Sequence, residues 1–122
     1  MEMKSKIKAL RRRDIVLVSF PFTDLSSAKV RPAVIITVDP QQDDVVIAFI
    51  SSVTTAPLGT FDFALFDQDP DFSLTGLKKA SVFKMNKLLT ISSILILRRL
   101  GHTSPSLQIK LDALLKKALG LS

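Results

Sequence analysis

The apolar runs of this chain follow one another too closely for anything but antiparallel pairing. Ile15, Val16, Leu17, Val18 and Phe20 form a nearly continuous, β-branched run, the pattern of a strand buried on both faces. Pro21 ends it, and Thr23, Asp24, Leu25, Ser26 and Ser27 form a polar, turn-prone stretch. A second strand is predicted over 33–38, closed by Asp39 and Pro40. After only Gln41, Gln42 and Asp43 a third follows over 45–50. A parallel crossover needs about a dozen residues or more, so these neighbours must pair antiparallel.

Beyond Ser51 and Ser52, Pro57 and Gly59 mark residues 53–60 as a loop. Phe61, Phe63 and Leu65 alternate with Asp62 and Ala64, the period of a half-buried strand. An acidic turn is expected over 67–71, two strand pieces over 81–85 and 88–91, and another over 94–97. The end changes period: Ser104 and Pro105 suit a helix N-cap and first turn, and Leu107, Leu111, Leu114, Leu115 and Ala118 follow helical spacing to Gly120. The expected fold class is α+β, mostly β: a small, open antiparallel β-barrel or half-barrel with a C-terminal helix.

Composition narrows the function. A 122-residue chain, 47% apolar with mean hydropathy +0.32, has the size and apolar content of one folded domain rather than of a disordered chain. No apolar run approaches the roughly 18 residues that span a bilayer, and the basic N-terminus lacks a signal-peptide core, so the cytoplasm is the expected compartment. Without cysteine, and with His102 as the single histidine, neither a thiolate site nor an ordinary zinc site is expected. The formal charge of +6 points to a polyanionic partner. Most of it lies at the start, where Lys4, Lys6, Lys8, Arg11, Arg12 and Arg13 face only Glu2. Residues 1–12 are read as a basic arm and 13–122 as the folded domain. The arm has two open readings, a solubilising tail or a segment that steers RNA.

Several motifs in order carry a resemblance. Arg13 to Asp24, RDIVLVSFPFTD, is similar to the opening strand and loop of the MazF/PemK-like toxins, where a glycine usually precedes the DIV run. Lys29 to Ile35, KVRPAVI, resembles the family's K-x-RPA-hydrophobic signature, and Val45 to Ser52, VVIAFISS, its strand ending in I-(T/S)-S. Ser81 to Ile91 resembles the later SxxR/K…L-x-TI block, and Arg98-Arg99-Leu100-Gly101 with the following helix resembles its ending. The resemblance spans about residues 13–120. It implies an SH3-like barrel that forms a homodimer, cleaves single-stranded mRNA without a metal or cofactor, and is silenced by a cognate antitoxin.

Such cleavage uses the RNA's own 2′-hydroxyl, so the protein must stabilise a phosphorane and manage two proton transfers. A guanidinium suits the phosphorane because its planar fork can hold two oxygens. Arg31 is the candidate: Pro32 keeps it extended, and the resemblance makes the arginine of this pair catalytic. The plainer reading is a strand-edge arginine paired with Asp14 or Asp24. Ser51 falls where the family has its catalytic threonine or serine. Since Ser51 and Ser52 alternate faces, only one is expected in the site. Further RNA-binding candidates are Asp24, Ser27 and Lys29 near the first loop, and Ser52, Asn86 and Lys87 later on. Lys87 stands where several relatives carry glutamine, and Arg13 replaces the usual glycine.

Other features have plainer readings. His102 has no suggested partner and reads as structural or exposed. Arg98 and Arg99 suit either phosphate or solvent, and the phenylalanines at 61, 63, 66 and 72 suit core or dimer surface better than base stacking. Two further functions stay in view: a non-catalytic SH3-like nucleic-acid or protein-binding module, kept open by Lys87, and a DNA-gyrase poison, which rests on fold analogy.

Overall fold

The computed structural model describes residues 10–21, 28–53 and 57–121. Six strands form one antiparallel sheet: β1 (Asp14–Pro21), β2 (Ala28–Asp39), β3 (Asp44–Ser52), β4 (Asp62–Leu65), β5 (Ser81–Ser92) and β6 (Ile96–His102). One helix, α1 (Pro105–Ala118), follows. The sheet order is β4-β5-β3-β2-β1-β6, and every pairing is antiparallel, as the short connections required. The first three strands and the β2–β3 hairpin stand where expected. The pieces at 81–85 and 88–91 are one strand: β5 is continuous but bulged, because its partners jump from Lys84 to Leu88 across a single step of β3. The piece expected at 94–97 begins instead as a 3₁₀ turn, Ser93–Leu95, opened by the Ser92 hydroxyl accepting from the Ile94 amide.

The class α+β, mostly β, holds. Closure into an SH3-like barrel is not formed: the sheet ends on β4 and β6, which share no ladder. β4 has four residues and spends them on β5, while α1 covers the face between the edges.

Both faces of the sheet are apolar, which is why β1 reads as an unbroken run. One face packs Ile15, Val34, Ala48, Ile50, Phe83 and Met85 under Leu107, Leu111 and Leu115 of α1. The other packs Val16, Val18, Ala33, Ile35, Ile47 and Ile91, with Phe20 and Phe49 edge to face at 5.3 Å. The helix ends are built as the sequence implied. Ser104 Oγ accepts from the Leu107 amide at 3.1 Å. Gly120, at φ 70°, closes a Schellman motif in which the Leu121 and Gly120 amides donate to the carbonyls of Lys116 and Lys117. Asp71 fastens the helix start to the preceding turn by accepting from the hydroxyls of Ser104 and Ser106 at 2.7 and 2.8 Å.

Arg13 occupies a left-handed conformation, φ 82°. That geometry favours glycine and accounts for the glycine of the similar motif. Here the side chain is held in place: Arg13 donates to the Thr103 carbonyl at 2.7 Å, while the two backbones exchange a further bond from the Thr103 amide to the Arg13 carbonyl. At the end of the basic arm, Arg12 reaches the Ile36 carbonyl and Asp112 of α1.

Candidate active site

The β2–β3 ladder runs from Asp39–Asp44 at the turn to Ala33–Phe49, and there it stops. Beyond that pair the strands part. β2 continues on β1 alone, through Leu17–Pro32, Val18–Arg31 and Ser19–Val30. β3 continues on β5 alone, through Ile50–Phe83, Ser51–Val82 and Ser52–Ser81. Pro32 is the first residue of β2 past the parting, where a missing N–H leaves no β3 carbonyl unpaired. The proline tolerated at this one position therefore marks the fork.

A groove of about 530 Å³ opens at the fork. Leu17, Pro32, Ile50, Leu77 and Leu100 give it an apolar lining. Arg31 stands on the β2 lip and Ser51 and Ser52 on the β3 lip, each of Arg31 and Ser51 two residues beyond the last shared pair. Arg98 of β6 and Lys78 and Lys79 of the loop before β5 join them, so that the described residues give the lining four cations and no carboxylate. Among the described residues none of these cations has an ion-pair partner, and the Ser51 and Ser52 hydroxyls make no hydrogen bond. A cationic, apolar-floored cleft with uncommitted donors suits a phosphodiester whose bases lie unstacked.

The plainer reading of Arg31 is not realised with Asp14. That carboxylate is buried, accepts from the Arg11 amide at 2.9 Å and lies 3.8 Å from Arg99. Strand alternation thus divides the arginine pair, Arg98 into the groove and Arg99 onto Asp14. Both Ser51 and Ser52 line the groove, because the strand ends at its rim and neither face is screened there.

Other candidates stand apart. Asn86 and Lys87 are exposed in the β5 bulge, outside the groove, four and five residues along the strand from Val82, or roughly 13 to 17 Å. Lys29 lies two residues beyond Arg31 and is exposed but does not line the groove. Asp24 and Ser27 lie outside the described residues. His102, at the end of β6, is exposed and away from the site. Phe63 and Phe72 pack against the core under α1. Among the described residues no three His, Asp or Glu side chains converge as metal ligands would, and no helix is long and apolar enough to cross a membrane.

Sequence reasoning missed Lys78 and Lys79. Their one signal was position, a basic pair two residues after Gly76 in a loop leading into a strand.

The fold is similar to an endoribonuclease in complex with its cognate antitoxin from a mycobacterial species, at TM-score 0.68 and 16% identity over 93% of this chain and 97% of that one. It is similar also to the Mycobacterium tuberculosis toxin MazF-mt6, at TM-score 0.66 and 23% identity over 90% and 99%. A MazE–MazF complex from Deinococcus radiodurans gives TM-score 0.69 and 16% identity over 93% and 98%. At these identities the likeness shows the fold alone. No curated protein sequence matches significantly. Residues 11–119, nearly the whole chain, match the family described as PemK-like, MazF-like toxin of type II toxin-antitoxin system, and the chain belongs to that family.

Proposed function

We propose that this protein is the endoribonuclease toxin of a type II toxin–antitoxin pair and cuts single-stranded mRNA at the β2–β3 fork. The observation that carries the reading is the pairing of an uncommitted Arg31 guanidinium with an uncommitted Ser51 hydroxyl on the two lips of one cationic groove. The 2′-oxygen attacks the adjacent phosphorus, the bond to the 5′-oxygen breaks, and the proton lost from the first oxygen is balanced by one gained at the second. The products are a 2′,3′-cyclic phosphate and a 5′-hydroxyl. A guanidinium only donates hydrogen bonds, so Arg31 stabilises the charge on the phosphorane rather than taking the 2′ proton. Ser51 donates to a phosphate oxygen or orients Arg31. No metal ion is required, because the groove's own cations supply the positive charge.

The named relatives, an endoribonuclease held by its cognate antitoxin and a MazE–MazF complex, support an antitoxin partner here. An acidic antitoxin segment would compete with RNA for the four groove cations. The protein is proposed to act in the cytoplasm as a homodimer. The alternative of a non-catalytic binding module rested on Lys87, which stands outside the groove.

The test is incubation of wild type, Arg31→Ala and Ser51→Ala with a long single-stranded RNA in EDTA, followed by mapping of both ends. Wild-type cleavage to cyclic-phosphate and 5′-hydroxyl ends, lost in Arg31→Ala and slowed at least tenfold in Ser51→Ala, supports the reading. Absence of cleavage by folded wild type would turn it toward the binding module.

A further inference from the structure

If the groove cuts RNA as proposed, Arg31 and Ser51 account for a single phosphate, and the other groove cations need a role. Lys78 and Lys79 are exposed, yet their loop is fastened at both ends. Gly76, at φ 72°, lies so close to β6 that a Cβ there would stand 2.0 Å from the Leu100 carbonyl oxygen. Gly101 answers it from the other side, where a Cβ would stand 2.3 Å from the Leu74 carbonyl oxygen. Between them the fully buried Thr75 donates to the Phe72 carbonyl at 2.6 Å and accepts from the Leu77 amide at 3.2 Å. At the far end Ser81 Oγ donates to the Lys79 carbonyl at 2.8 Å, and the Val53 amide donates to the Ala80 carbonyl at 3.1 Å. That last bond ties the lysine loop to the residue that follows Ser51 and Ser52.

We propose that Lys78 and Lys79 grip RNA phosphates next to the scissile one, and so position the strand against Arg31 and Ser51. They are positioning residues: two ammonium groups on a loop fastened at both ends, beside the serine lip and lining a groove in which the described residues place no carboxylate to occupy them. The backbone places the charges, and the flexible stems let them follow a strand of any sequence. The grip therefore acts on affinity, while the chemical step stays with Arg31 and Ser51.

The experiment measures binding of a single-stranded, fully 2′-O-methylated RNA, which lacks the nucleophile, across a series of salt concentrations. Wild type is compared with Lys78→Ala/Lys79→Ala, with Lys78→Arg/Lys79→Arg, and with Lys116→Ala/Lys117→Ala, which removes equal charge from the outer face of α1. Loss of two phosphate contacts weakens binding about tenfold and makes the slope of log K against log salt shallower by about 1.4. The arginine pair restores both, the α1 pair leaves both at wild-type values, and in cleavage assays the loss falls on KM. An unchanged slope in Lys78→Ala/Lys79→Ala, or an equal change in the α1 variant, overturns the grip. Wild-type binding without any cleavage would instead count against the nuclease reading and leave the grip standing.

Discussion

In the paired part of the β2–β3 hairpin, Ala33 and Ile35 of β2 and Val45 and Ile47 of β3 are buried on one face, and the ladder runs on, through one irregularity between Ile35 and Thr37, to Asp39–Asp44. At its open end the same two strands separate, Arg31 and Ser52 are exposed, and the lining is cationic. The two ends differ by only a few residues. One is held by apolar burial and cross-strand hydrogen bonds. The other gives up its ladder and keeps donors free. The fork is thus a place where stability is withheld so that a guanidinium and hydroxyls can be presented, on strands that the paired end keeps rigid.

The comparison predicts opposite outcomes for substitutions at the two ends. Ile47→Ala removes a fully buried side chain from the paired end and is expected to cost about 2–5 kcal/mol, read as a shift of the urea midpoint, while the folded fraction still cleaves RNA at the wild-type rate. A smaller effect is expected at Arg13, which tests whether side-chain bonding offsets its left-handed backbone. Arg13→Ala keeps the unfavourable conformation and loses the bonds to Thr103, for about 1–2 kcal/mol, whereas Arg13→Gly relieves the conformation and falls nearer to wild type. Equal destabilisation by both would show that the hydrogen bonds alone matter.

The smallest effect concerns acid. The hydroxyls of Ser104 and then Ser106, and least the Lys110 charge, hold the Asp71 carboxyl below its ordinary value of 3.8, against an opposing effect of burial. A carboxyl depressed on folding stabilises the native state above its unfolded value, and that contribution disappears as pH falls through the folded value. The melting-temperature gap between wild type and Asp71→Asn should therefore be constant near neutrality and close below about pH 4. A gap that stays unchanged into acid would contradict the assignment.

Much of this architecture was legible because it rests on local chemistry. Short polar connections forced antiparallel neighbours, Ser104, Pro105 and Gly120 bounded the helix, and Arg31, Pro32 and Ser51, singled out by their motifs, line one groove. What was hidden depends on register. That Ala33 and Phe49 would be the last pair, and Pro32 the first residue free of β3, is set by how two strands meet. The same is true of the β5 bulge, which moved Asn86 and Lys87 away from the groove, and of the open sheet edges. Arg98 and Arg99 could have been separated from sequence, since adjacent strand residues face opposite ways. Lys78 and Lys79 could not, because only the close approach of Gly76 and Gly101 to neighbouring backbone brings their loop to the site.

The central claim is that Arg31 at the fork carries chemistry and not stability. It is tested most directly by measuring, on one Arg31→Ala preparation, both the single-turnover RNA cleavage rate in EDTA and the urea unfolding curve. The account predicts a rate at least about a hundredfold lower with stability within about 0.5 kcal/mol of wild type. Cleavage at the wild-type rate, or a loss of activity that merely tracks a loss of folding, would contradict it.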